Sequence, residues 1–193
     1  MVILGSILLL FGYIGNSEDM KQWGVIGVLT GFVLVLAGRE ITRGKILGPN
    51  EEEEAFEIQT KIFQNAMGFV KVVDTFPGPN SLKALSETPK GTPIQFLALD
   101  QMSRKNVKEF ERLANELCLE REEVEVRYMP KDSFHDRFIL TKPFGWHLGS
   151  SMKDLGRKIT RIGPMGVEET EKVIIQFDYF WPLSRPLEDS ESS

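Results

Sequence analysis

A chain of 193 residues has room for one domain of ordinary size beside a short anchoring segment, and not for two full domains next to a membrane segment. Its formal charge of -5 excludes a protein that coats nucleic acid through bulk positive charge, so any phosphate site has to be a local basic pocket. The one cysteine, Cys118, excludes a disulfide framework and a cysteine-based metal site.

Two blocks, Val2 to Ile14 and Trp23 to Gly38, contain no charged side chain, and a short polar turn, Asn16 to Gln22, joins them. This predicts two apolar helices in a hairpin. Each block is shorter than the roughly 20 residues that span a bilayer, so such helices would thin the membrane, borrow flanking residues or enter part-way. No basic segment precedes the first block and no small-x-small pattern follows it, which argues against a cleaved signal peptide. Glu18, Asp19 and Lys21 lie in the turn, whereas Arg39, Arg43 and Lys45 follow the second block, so the expected placement is a membrane protein with its C-terminal domain in the cytoplasm. The expected organisation is a membrane hairpin over 1–43, a linker over 44–54 that carries Gly, Pro and Asn, a domain over 55–182, and a disordered acidic, serine-rich tail over 183–193.

Beyond the linker, helical and strand patterns alternate. Glu57 to Met67 spaces Ile58, Ile62, Phe63 and Ala66 as a helix, and Phe69 to Val73 is a β-rich run closing at Asp74. Thr75 to Asn80, with two prolines and a glycine, reads as a loop, Ser81 to Ser86 as a short helix and Thr92 to Leu99 as a buried strand. Met102 to Leu119 repeats Val107, Phe110, Leu113, Ala114 and Leu117 at helical spacing, and Val124 to Tyr128 alternates as a strand. That order predicts an α/β domain with parallel strands in one sheet and ligands at their carboxyl ends.

Phe134 to Thr141 and Trp146 to Ser151 read as two strands joined by Lys142, Pro143, Phe144 and Gly145, a hairpin turn. His135 and Arg137, two apart on an extended strand, would share a face and present an imidazole beside a guanidinium. A neutral imidazole attacks phosphorus or moves a proton, and a guanidinium holds phosphate oxygens in a fixed fork of donors. Gly149, Ser150 and Ser151 add hydroxyls at the end of the second strand. His147, by alternation, points to the other face and reads as a packing or hydrogen-bonding residue. The competing structural reading pairs His135 and Arg137 with Asp132, Asp136 or Asp154. Lys158 to Ile162 then reads as an edge strand, Gly163 to Gly166 as a turn, and Val167 to Phe180 as a closing helix. Neither a Walker loop nor a dinucleotide fingerprint is present.

On these residues the chain resembles the phospholipase D superfamily, whose signature is H-x-K, four residues, Asp, six residues, then Gly-Ser-x-Asn. His135, Arg137, Lys142, Gly149 and Ser150 match its spacing, with Arg137 in place of lysine, Lys142 in place of aspartate and Met152 in place of asparagine. The resemblance covers about residues 55 to 182 and implies a phospholipase D-like sheet flanked by helices. It further implies a phosphodiester ligand, nucleic acid or phospholipid, and a homodimer that supplies the second histidine of a two-histidine mechanism. His135 would be the nucleophile, Arg137 the phosphate clamp and Ser150 an orienting donor, with Ser151, Asp154 and Asp74 as substrate-binding candidates and no metal or cofactor. A binding module without turnover and a membrane-tethered scaffold are the alternatives.

Overall fold

The computed structural model describes residues 44–99, 104–131 and 133–187. A compact unit begins at Gly44. It is a mixed α/β domain built on one eight-stranded sheet in the order β1-β7-β6-β5-β2-β3-β4-β8. The strands are β1 (Lys45–Leu47), β2 (Met67–Asp74), β3 (Ile94–Leu99), β4 (Val124–Met129), β5 (Arg137–Lys142), β6 (Gly145–Leu148), β7 (Thr160–Pro164) and β8 (Arg185–Pro186). Four helices flank it: α1 (Glu52–Gln64), α2 (Pro79–Leu85), α3 (Arg104–Glu120) and α4 (Val167–Phe180).

β2, β3 and β4 are parallel, as helical crossovers require, and every other pairing is antiparallel. Alternation along the central strands makes two apolar faces. One carries Val73, Leu97, Met129, Phe138 and Leu140, closed by Met165 and by Phe177 of α4. The other carries Phe96, against which Phe110 of α3 sets its ring at 5.8 Å. The Pro-Gly turn of the hairpin holds a cis Lys142–Pro143 bond, and the Thr141 N–H and hydroxyl both donate to the Phe144 carbonyl.

Several expectations need correction. The segment read as a linker contains β1, which pairs with β7, so β7 is an interior strand and not an edge, and it runs on through Gly163 and Pro164. The segment after β6 makes a single 3-10 turn, Met152–Asp154. The placement in a membrane with a cytoplasmic C-terminal domain is overturned: among the described residues no helix is long and apolar enough to cross a membrane. The longest of them, α3, carries Lys108, Glu109, Glu111, Arg112 and Glu116 along its length, charges that a bilayer interior excludes. The two apolar blocks before Arg43 lie outside the described residues, as do residues 188–193 of the tail expected over 183–193; the first residues of that tail instead include β8, which pairs with β4.

Candidate functional site

The site is assembled where β2 ends and the β5–β6 hairpin opens. The register that pairs Val73 with Phe138 brings Arg137, the first residue of β5, opposite Asp74, the last of β2. Arg137 is in turn paired with Leu148, so the Gly149-Ser150-Ser151 turn leaves β6 beside it. Gly149 is dictated by packing: its N–H donates to the Arg161 carbonyl at 2.8 Å, and a Cβ there would lie 2.8 Å from Thr160 Oγ1 and 3.1 Å from the Arg161 nitrogen. Only a residue without a side chain lets β7 come that close. Gly156, at φ +80, has the same role a turn later, because a Cβ would meet the Glu51 backbone at 2.4 Å where the Glu51 N–H donates to the Gly156 carbonyl.

Asp74 is fully buried and is the polar hub of this corner. Its carboxyl accepts from the Met152 N–H at 2.8 Å, from the Ser151 hydroxyl at 3.0 Å and from the Phe76 N–H at 3.2 Å. Burial raises its pKa from 3.8 to about 6; these hydrogen bonds and the positive charge of Arg137 oppose the rise without cancelling it. No ion pair within 4.0 Å joins Asp74 to Arg137 among the described residues.

The remaining candidates divide clearly. Arg137 Nε and Ser150 Oγ are both buried and have no hydrogen-bond partner among the described residues. Ser151, 4% exposed, has its hydroxyl between Asp74 and the Phe76 carbonyl and so is engaged within the fold. Asp154 pairs with Lys153 and lies 3.8 Å from Arg157, which keeps it on the outer rim. His135 sits in a bend ahead of β5 and is exposed, so strand alternation does not carry it onto the face of Arg137; no hydrogen bond or ion pair of His135 is found among the described residues. The structural pairing envisaged for Arg137 with Asp136 or Asp154 does not form, and Asp132 lies outside the described residues. His147 sits on the opposite face as alternation predicts, edge-on to Phe138 at 5.5 Å with Nε2 3.7 Å from an Asp136 oxygen.

Two hydroxyls escape a reading of the sequence. Thr75 Oγ1, next to Asp74, and Thr160 Oγ1, against Gly149, are also buried without a partner. Their adjacency in sequence to Asp74 and to the start of β7 is a faint signal; the register that places Thr160 near Gly149 is not visible in one sequence. At the positions where the phospholipase D signature has aspartate and asparagine, Lys142 sets its ammonium over the Phe69 ring at 5.6 Å and Met152 is buried at 2% exposure.

No protein-family model and no curated protein matches the chain. Among solved structures, the chain is similar to Nuc from Salmonella typhimurium, described as a phospholipase D family member, with a TM-score of 0.57 at 15% identity over 76% of this chain and 100% of that one. It is similar to phosphatidylserine synthase from Haemophilus influenzae Rd KW20, with a TM-score of 0.54 at 9% identity over 78% of this chain and 42% of that one. TrmBL2, an archaeal chromatin protein described as showing a novel mode of DNA binding, aligns with a TM-score of 0.51 at 11% identity over 93% of this chain and 69% of that one. The domain therefore has a phospholipase D-like fold.

Proposed function

We propose that the domain acts on phosphodiesters at the corner formed by Asp74, Arg137 and the Gly149–Ser151 turn. The observation that carries this is that Arg137 Nε and Ser150 Oγ are both buried without a hydrogen-bond partner among the described residues, Arg137 pairing with Leu148 two residues before Ser150. Buried polar atoms in folded proteins are nearly always satisfied, and a guanidinium and a hydroxyl left open at the same end of the β5–β6 hairpin suit the oxygens of a phosphate. Arg137 is the clamp, Ser150 an orienting donor, and His135, exposed at the lip, the nucleophile. In that scheme an imidazole nitrogen bonds to phosphorus as the ester P–O bond breaks, and the leaving oxygen takes a proton from a second imidazole supplied by another copy of the chain. Water then cleaves the phosphohistidine.

A second reading, binding without turnover, is favoured by a specific observation: Lys142 and Met152, at the signature's aspartate and asparagine positions, are used for packing. One experiment separates the two. Full-length protein is assayed with bis(4-nitrophenyl) phosphate, a single-stranded oligonucleotide and mixed phospholipid vesicles, all in chelator, beside His135→Ala and Arg137→Ala. An enzyme loses roughly 1,000-fold or more of its rate in His135→Ala while keeping its ligand affinity. A binder has no rate to lose, and Arg137→Ala weakens binding under both readings. Undiminished binding in Arg137→Ala would sink the phosphodiester site itself.

A further inference from the structure

Resting on the phosphodiester reading of this corner, we propose that Asp74 is a positioning residue of the site, whose proton selects between two hydrogen-bond settings of the serine turn and sets the charge that Arg137 presents to a ligand.

The geometry that carries this is a single hydroxyl facing two acceptors. Ser151 Oγ lies 2.5 Å from the Phe76 carbonyl and 3.0 Å from Asp74 Oδ2. A serine hydroxyl has one proton to donate. When Asp74 is ionised, the hydroxyl turns to the carboxylate and the Phe76 carbonyl loses Ser151 as its donor. When Asp74 is protonated, its own O–H donates to Ser151 Oγ, which donates onward to the Phe76 carbonyl, and every group in the chain is satisfied. The same side chain accepts the Met152 N–H, so the turn that carries Ser150 hangs on Asp74 in both settings.

Among the described residues, the cation that acts on the charge of Asp74 is Arg137. Arg137 comes from β5; the residues of β3 in register with the end of β2, Leu97 and Ala98, are uncharged, and Lys153 and Asp154 on the 3-10 turn pair with each other. An ionised Asp74 therefore cancels part of the positive field of Arg137 at the ligand, and a protonated Asp74 releases it. Burial shifts that exchange toward neutral pH, to about 6. By linkage, a bound phosphodiester must in turn raise the affinity of Asp74 for its proton. Asparagine shares the neutral charge of the protonated form: its carbonyl accepts the Phe76 N–H and its amide donates to Ser151 Oγ, but the Met152 N–H, which bonds the same carboxyl oxygen as Ser151, loses its acceptor.

The test is a titration of bis(4-nitrophenyl) phosphate into full-length protein and into Asp74→Asn between pH 5 and 7.5, a range over which a phosphodiester keeps one negative charge. Wild-type affinity is expected to rise roughly fivefold or more as the pH falls through 6. Asp74→Asn is expected to bind at pH 7.5 as tightly as wild type does at pH 5, with its profile flattened by that factor; both histidines are present in both proteins and drop out of the comparison. Parallel profiles in the two proteins would overturn the proposal, while absence of binding by wild type at every pH would instead overturn the phosphodiester reading. Should Asp74→Asn fail to fold, the carbon-13 shift of the Asp74 carboxyl in wild type gives the same answer. Its midpoint is expected near 6, moving upward with ligand and upward again in Arg137→Ala; a midpoint indifferent to both would refute the coupling.

Discussion

Arg121 and Arg137 each bring a guanidinium in from solvent, and the two corners of the domain receive them differently. Arg121, 8% exposed just past α3, has all its donors engaged: Nε and Nη2 on a Glu123 oxygen at 3.0 and 2.8 Å, Nη1 on the Ser86 and Thr88 carbonyls at 3.2 and 2.9 Å, and Nη2 also on the Pro89 carbonyl at 3.2 Å. It clips the loop after α2 to the start of β4. At Arg137 the fold supplies a counter-charge at a distance and leaves Nε unmatched. Around Arg121 every guanidinium donor has a protein partner; Arg137 Nε has none among the described residues, the opening that the proposed phosphate would fill.

That contrast can be broken at four points. Arg121→Ala has the largest expected effect, about 3 kcal/mol of stability read by urea unfolding, because three carbonyls lose a donor in a place water reaches poorly. Asp74→Asn comes next, through pH. Since the folded state holds this proton more tightly than the unfolded chain, the stabilisation is complete below 3.8 and is lost as pH rises through about 6, a span of up to about 3 kcal/mol that Asp74→Asn should flatten. The Glu123 carboxyl, held down to about 2 chiefly by the Gly91 N–H and by Arg121, changes charge below this window. A wild-type unfolding midpoint no lower at pH 7 than at pH 5 would contradict the placement of Asp74. Arg137→Ala should cost less than about 1 kcal/mol of stability, the reverse of Arg121, and a loss as large as that of Arg121→Ala would make Arg137 a structural residue. Ser150→Ala should leave stability within about 0.5 kcal/mol and weaken phosphodiester binding by about 1 kcal/mol, measured calorimetrically.

Much of the fold was legible because its elements are strongly periodic. Val107, Phe110, Ala114 and Leu117 mark the buried side of α3, and the proline and glycine of residues 142 to 145 mark the hairpin turn. What stayed hidden was non-local. β1 lies in a stretch rich in glycine and proline, and only its pairing with β7, more than a hundred residues on, makes it a strand. The site shows the same division. Spacing singled out Arg137 and the serine turn as candidates, but the place of His135 rested on a strand starting at Phe134, whereas the chain bends through Ser133 and Asp136 and enters β5 only at Arg137. Ser151, a candidate for substrate, is engaged by Asp74 and Phe76, partners 77 and 75 residues away that no local pattern reveals.

The central claim is that Arg137 and Ser150 are left open for a phosphate. It is tested most directly by titrating bis(4-nitrophenyl) phosphate into wild type, Arg137→Ala and Ser150→Ala at pH 5.5 and following binding calorimetrically. Saturable binding in wild type, weaker by roughly 30-fold in Arg137→Ala and roughly fivefold in Ser150→Ala, is the predicted result. Equal affinity in all three proteins, with Arg137→Ala still folded, would contradict it.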